Sequence, residues 1–335
     1  MSASRAVALP RLRERRELAP ADVLRQGRQE GRQILGRGSK SFALAGMLLG
    51  KRARDDAAVL YAWCRRADDQ VDRNDDAGPG QVERRLRMLA RGLEGLYAGR
   101  ARAPLDIALG ELLARRRIPK AYFQALLDGF AMDARGASYA TLDDLDLYAY
   151  RVAGVVGLMM CHVLGVRDER SLRAAARLGM GMQLTNIARD VVEDFARGRQ
   201  YLPTELISPS ELRSAIGSAD PHAPGREQVA AAVRALLGRA DGYYRTGLSG
   251  LRDLGWRDAL AIGAAARIYR AIGTLLARRG FDALAGRAVV SLSRKLLLAV
   301  AASATLLLEL PRRWRARQNR LVVPRQLVRF DDVKA

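Results

Sequence analysis

Three features of the sequence predict an all-α protein, folded as one helical bundle around a central cavity. Apolar residues recur with helical rather than alternating period, and Ala, Leu and Arg dominate the periodic stretches. The stretches are separated by short clusters of Gly, Pro, Asn and Ser, with no long linker, short-period repeat or low-complexity tract. A chain of 335 residues, 49% of them hydrophobic, can bury a large core.

In chain order, residues 1–28 are rich in Arg, Glu and Ala and lack the apolar core of a signal peptide, so they read as a basic N-terminal arm. Residues 29–310 form the helical domain, with breaks expected at Asn74–Gly80, Gly99–Pro104, Gly198–Pro203, Ser208–Gly225 and Gly280–Gly286. The longest apolar run, Leu296 to Leu308, is interrupted only by Ser303 and Thr305. It is shorter than the roughly 18–20 residues that cross a bilayer, which predicts a buried core helix. Its flanking Arg294, Lys295, Arg312, Arg313 and Trp314 also suit peripheral contact with an anionic membrane. Residues 311–335 read as a basic C-terminal tail.

The 57 Lys and Arg residues against 36 Asp and Glu leave a net charge of +21. Such a field attracts polyanions: nucleic acid, an anionic membrane surface or a diphosphate substrate. Cys64 and Cys161 are too few for a disulfide framework, and His162 and His222 too few for a histidine-rich metal centre. A cytoplasmic setting is expected.

Against this basic background stand two acidic clusters, Asp68-Asp69-Gln70-Val71-Asp72 and Asp190-Val191-Val192-Glu193-Asp194. In each, an Asp recurs four residues later, which on a helix places both carboxylates on one face. Mg²⁺ is usually held by one or two carboxylates together with waters and substrate phosphates. Leu60, Cys64, Ala67 and Val71 form an apolar stripe, and Tyr61, Arg65, Asp68 and Asp72 a polar stripe directly beside it. A solvated face would lie opposite the core, so this adjacency points to a polar-walled cavity; on one helix, a boundary row of salt bridges explains it equally well. Met180, Leu184, Ile187 and Val191 beside Gln183, Asn186, Asp190 and Asp194, with Glu193 adjoining, repeat the pattern and weaken that alternative. Both clusters precede helix-ending signals, where carboxylates meet the negative end of the helix dipole at a cost of up to about 1 kcal/mol each. A bound divalent cation reverses that sign, and so could Arg65, Arg66, Arg73, Arg189 and Arg197.

Tyr61-Ala-Trp-Cys-Arg65-Arg-Ala-Asp68-Asp69-Gln-Val-Asp72 and Gln183-Leu-Thr-Asn186-Ile-Ala-Arg189-Asp190-Val-Val-Glu193-Asp194, followed by Gly198-Arg199-Gln200-Tyr201-Leu202-Pro203, resemble the signature segments of the squalene/phytoene synthase family. Ser39-Lys40-Ser41-Phe42, the stretch Tyr148 to Met159, and Tyr269-Arg270-Ala271-Ile272 leading to Arg287 and Lys295 extend the resemblance over about residues 30–300 in the family's order. It is most similar to the bacterial phytoene synthases.

The resemblance implies an isoprenoid synthase bundle that condenses two geranylgeranyl diphosphates head to head through a cyclopropylcarbinyl diphosphate. It also implies Mg²⁺, with Mn²⁺ as an alternative, and no NADPH. Asp68, Asp72, Asn186, Asp190 and Asp194 are implied as metal ligands. Ser39, Lys40, Ser41, Arg65, Arg189, Arg199, Tyr201, Tyr269 and Arg287 are implied at diphosphate or substrate. Tyr61, Tyr148 and Gln183 line the chamber, with Tyr61, Arg65, Tyr148 and the four aspartates in the chemistry. One position departs from some family members, which carry His where this chain has Gly38.

Gly154 and Gly157 read as close-packing positions. The runner-up within the class is an enzyme acting on farnesyl diphosphate to give presqualene diphosphate, squalene or dehydrosqualene. The alternative of another class, a basic helical nucleic-acid-binding protein, suits the charge. It leaves the acidic stripes unexplained, and no zinc, KH or RRM signature is present, so no nucleic acid partner is expected.

Overall fold

The computed structural model describes residues 21–72, 80–218, 220, 223–308 and 327–334. His222, Pro311 to Trp314, residues 1–20 and most of the break at 74–80 lie outside the described residues. Among the described residues the elements are helical throughout.

Helix α1 (Ala21–Gly38) packs on α3 (Lys51–Val71) and α5 (Pro104–Arg116). Its glycines permit this approach: a Cβ on Gly27 would lie 2.1 Å from the Pro104 carbonyl oxygen. Residues 21–28 form the first turns of α1, with Gly27 buried against α5. Helix α2 (Lys40–Gly46) starts at Ser39, whose hydroxyl accepts the Phe42 N–H at 3.2 Å.

Helices α4 (Gln81–Tyr97) and α6 (Lys120–Ala134) close the side of the bundle next to α3. Helix α7 (Leu142–Ala149) opens with a capping box between Thr141 and Asp144 and runs through a π turn, Tyr150–Gly154, into α8 (Val155–Leu164).

Helix α9 (Glu169–Arg189) packs against α8, α12 (Arg226–Leu248) and α13 (Trp256–Arg278). Leu172, Met180, Leu184 and Ile187 are buried on it, each stabilising by about 1.5–3 kcal/mol relative to exposure. Cβ atoms on Gly157 and Gly179 would lie 2.3 Å from the carbonyl oxygens of Ala175 and Ala153, so these small residues let α8 and α9 approach backbone to backbone. Gly154 has the same packing role, with Tyr150 and Met180 against it.

Helix α10 (Val191–Ala196) follows α9, and α11 (Pro209–Gly217) lies within the segment expected to be a break. Ser208 and Glu211 form a capping box there and Pro209 takes the first turn, which is sufficient local chemistry to start a short helix.

Helix α14 (Leu292–Leu308) packs along α13, but Leu296, Leu297 and Val300 are 48%, 68% and 67% exposed. The described part of the apolar run thus lies at the surface rather than wholly in the core: Leu298 and Ala302 face inward, and α13 covers only that side. Among the described residues, α7 through α8 and α13 are each long and apolar enough to cross a membrane, and both are largely packed inside the bundle. At the C-terminus α15 (Phe330–Lys334) returns to the bundle. Val328 and Val333 are buried, and the Tyr150 hydroxyl donates to the Val328 carbonyl oxygen at 2.9 Å.

Candidate active site

The bundle encloses a cavity of about 530 Å³ whose lining changes character along its walls. On α9 it passes from Ala175 and Leu178 to Gln183 and Asn186. On α3, Arg54 excepted, it passes from Ala57 and Leu60 to Arg65 and Asp68. Both helices therefore turn polar toward their C-termini. The adjacent stripes read from the sequence are neighbouring parts of one cavity wall and its backing core: Leu60, Ala67, Val71, Met180, Leu184, Ile187 and Val191 are buried.

Tyr61, Arg65, Asp68, Tyr148, Gln183, Asn186, Arg189, Asp190, Asp194, Arg199, Tyr201 and Tyr269 line the cavity. Asp72 caps α3 and is joined to Arg199, so an ion pair ties one acidic wall to the other. Arg287 does not line the cavity but reaches Asp190, with Nε to Oδ1 at 2.8 Å; Arg189 Nε binds the same oxygen at 2.7 Å.

In the cavity lining, the Phe42 ring stacks on Tyr269 at 5.3 Å and meets Tyr61 edge-on at 6.4 Å. Phe42 lines the cavity, whereas Ser39, Lys40 and Ser41 do not, and Lys40 is exposed. At Gly38 a Cβ would lie 2.4 Å from the Tyr61 hydroxyl, so that hydroxyl fills the space a side chain would need.

The second acidic segment is not one continuous helix. Asp190 adopts φ −104° and ψ 23°, ending α9 and beginning α10, while its N–H still reaches the Asn186 carbonyl oxygen at 2.9 Å. Glu193 and Asp194 consequently occupy the first turn of α10, near the favourable end of that short helix, opposite to the placement expected from the sequence. Asp72 keeps the expected place at the C-terminus of α3.

Burial, reinforced by the charge of Asp72, pushes the Asp68 carboxyl up to about 6. Burial and the charge of Asp190 push Asp194 up to about 7. Burial also opposes ionisation of Asp190, but hydrogen bonds from Arg189 and Arg287 outweigh it and hold that carboxyl below the usual range.

The Squalene/phytoene synthase family matches residues 35–295. The chain belongs to the squalene/phytoene synthase family. Among its family relatives is a 15-cis-phytoene synthase from Enterobacter agglomerans, 40% identical over 272 residues that cover 79% of this chain and 91% of that protein. A phytoene synthase from Rhodobacter capsulatus is 39% identical over 85% of each chain. A solved dehydrosqualene synthase in complex with ligand superposes with a TM-score of 0.74, at 29% identity, covering 85% of this chain and 98% of that one. The family fold is thus the all-helical isoprenoid synthase bundle expected from the sequence.

Two residues at or beside this cavity lie outside the sequence motifs. Asp133, at the end of α6, lines the cavity and accepts hydrogen bonds from the hydroxyls of Tyr148 at 2.8 Å and Tyr201 at 2.7 Å. Tyr139, buried beside it, packs on both tyrosine rings at 5.4 and 6.1 Å. The spacing of Asp133 from either acidic cluster gave no helical-face signal, since only the fold brings α6 to them.

Among the described residues no group of three or more His, Cys, Asp or Glu side chains is arranged to hold a metal ion unaided. The donors instead suit Mg²⁺ shared with substrate phosphates and water, which needs only one or two carboxylates per ion. Asn186 Oδ1 is buried without a hydrogen-bond partner, a neutral oxygen of the kind a hard cation accepts.

Proposed function

We propose that the protein joins two geranylgeranyl diphosphates head to head to give phytoene, through a cyclopropylcarbinyl diphosphate and with release of diphosphate. The observation carrying this reading is the pair of acid-bearing walls facing one largely apolar cavity, tied by Arg199 and Asp72. The choice of a C20 substrate follows the relatives named as phytoene synthases.

Asp68, Asp72, Asn186, Asp190 and Asp194 are the residues that would hold Mg²⁺ or Mn²⁺. When bound, the metal supplies positive charge that offsets the charge developing on a departing diphosphate. Arg65, Arg189, Arg199 and Arg287 present planar forks of N–H donors suited to diphosphate oxygens. In this structure those guanidiniums grip Asp69, Asp190 and Asp72, and on substrate binding they exchange carboxylate for phosphate. Tyr269 and Phe42 close over the substrate near Ser39, while Lys40 and Ser41 reach the diphosphate only if α2 moves inward. The apolar depth around Phe130, Val156, Met160 and Leu178 excludes water from the allylic cation. Proton loss ends the route, so no nicotinamide is required.

Purified protein given Mg²⁺ and geranylgeranyl diphosphate should form phytoene without NADPH, identified by chromatography. Rapid turnover of farnesyl diphosphate with the C20 substrate inert would instead assign the C15 reading, which the dehydrosqualene synthase neighbour makes the competing outcome.

The product is a hydrocarbon with no polar group, and its destination is a bilayer. Val289, Leu292, Leu296, Leu297 and Val300 expose an apolar surface on and beside α14, next to Arg294 and Lys295. This face, on a chain of charge +21, supports peripheral contact of a cytoplasmic enzyme with anionic membrane. Replacing Leu297 and Val300 by Ser should reduce co-sedimentation with phosphatidylglycerol vesicles; unchanged binding would remove α14 from the contact.

A further inference from the structure

Three separate elements converge on one carboxylate at the chamber wall. Asp133 comes from the end of α6, Tyr148 from α7, and Tyr201 from the loop after α10. Asp133 Oδ2 accepts the Tyr148 hydroxyl and Oδ1 the Tyr201 hydroxyl, and the Tyr148 hydroxyl, 3.1 Å from the Tyr201 oxygen, is shared between Asp133 and that oxygen. Their rings stack at 5.0 Å. The loop carrying Tyr201 is fixed in turn by the Thr204 and Glu205 N–H groups, which donate to the carbonyl oxygens of Tyr139 and Ala140 at 2.9 and 3.0 Å.

A carboxylate is a costly choice for a purely structural anchor here. Asp133 shares the chamber with Asp68 and Asp194 and adds negative charge to a region already crowded with it. An amide of the same size would avoid that repulsion, but it carries one oxygen, so in this geometry one of the two hydroxyls would meet an N–H₂ donor in place of an acceptor. Only a carboxylate takes both hydroxyl protons on its two oxygens. With both O–H bonds turned toward Asp133, the phenol oxygens keep their lone pairs for the remaining directions, including the chamber that both residues line.

We propose that Asp133 is a positioning residue for the second half of the reaction: it aims Tyr148 and Tyr201 so that their oxygen lone pairs face the carbocation left when the cyclopropylcarbinyl diphosphate ionises. This rests on the prenyl-transfer reading above. The arrangement favours positive charge on carbon at that wall, without competing for the diphosphates that the arginines bind. Loss of Asp133 frees the hydroxyl protons to turn inward, where they face the cation with the wrong end of the O–H dipole.

The experiment is a comparison of wild type, Asp133→Asn and Tyr201→Phe with Mg²⁺ and geranylgeranyl diphosphate, following substrate loss, the cyclopropylcarbinyl intermediate and phytoene in the same reactions. For Asp133→Asn the first condensation should slow by about threefold, and the ratio of phytoene to intermediate should fall by about tenfold or more. Tyr201→Phe, which removes one donor and no charge, should shift the ratio in the same direction by a smaller factor, and it keeps the test open if Asp133→Asn fails to fold. An unchanged ratio in both variants, or equal slowing of both steps in parallel with lost thermal stability, overturns the proposal. In that case an active wild type leaves the functional reading standing without Asp133. A wild type inert toward both C20 and C15 diphosphates overturns the functional reading, and the proposal with it.

Discussion

The two acidic walls carry similar residues in different states. On the α3 wall, Asp72 is paired with Arg199 from across the chamber, while Asp68 meets Arg65 at the longer distance of 3.7 Å. On the α9–α10 wall, Asp190 is gripped by both Arg189 and Arg287, and Asp194 is left with its carboxyl pushed up to about 7. Each wall therefore has one arginine-saturated acid and one desolvated acid. The saturated acids bring arginines to the site, and the desolvated ones gain most from a divalent cation. The walls differ in origin: the first is the end of an unbroken helix, the second a junction between two helices at Asp190.

Removing one acid from each wall tests whether the walls work as a pair. Asp68→Asn and Asp190→Asn should each lower kcat/KM by about 10³ with Mg²⁺ present, on the scale of losing one preorganised electrostatic group at a reaction centre. Steady-state kinetics with geranylgeranyl diphosphate checks this. A large loss from one wall and a loss under about threefold from the other would mean that a single wall carries the metal.

The pH dependence separates the walls further. Asp68 and Asp194 have folded-state values raised to about 6 and about 7, so in the metal-free protein the protonated forms are favoured by folding. Their contribution to stability is present at low pH and is lost as pH rises through those values. Metal binding requires the ionised forms, so its dependence has the opposite direction: apparent Mg²⁺ affinity should weaken by about tenfold per pH unit for each proton it must displace. Calorimetric titration between pH 8 and pH 5, as a range of about three units, should show weakening that begins near 7. Asp194→Asn should move that onset down toward 6, and Asp68→Asn should leave it near 7. An onset indifferent to both substitutions would exclude these carboxyls from the metal site.

How far each wall could be read from the sequence follows from the same difference. The α3 wall was legible because an unbroken helix projects its 3.6-residue period onto real space, so spacing alone puts Tyr61, Arg65, Asp68 and Asp72 on one face. The stripe ending at Asp194 was legible in position but not in shape, since no Gly or Pro marks the junction at Asp190. Helix α11 had a readable start in Ser208, Pro209 and Glu211, but the surrounding Gly, Pro and Ser outweighed it. Asp133 had no such signal: an acid near the end of a mostly apolar helix gains meaning only when Tyr148 and Tyr201 arrive from elsewhere. The exposure of Leu296, Leu297 and Val300 was hidden for a related reason, because hydrophobicity alone does not say which side of a helix a neighbour covers.

The smallest effect is expected within the first cluster itself. Asp69 belongs to the same run of acids as Asp68, yet it is 55% exposed, does not line the cavity, and pairs with Arg65 at 2.7 Å along the helix surface. An exposed pair four residues apart on a helix contributes about 0.3–0.5 kcal/mol. Asp69→Asn should therefore change the unfolding free energy by less than about 1 kcal/mol and KM by less than about threefold, because the residue it releases, Arg65, stays in the lining. Denaturant unfolding and initial-rate kinetics measure both. A loss approaching that of Asp68→Asn would show that the wall extends around the helix beyond the face turned to the chamber, and that the acids serving the diphosphate on α3 are not confined to Asp68 and Asp72.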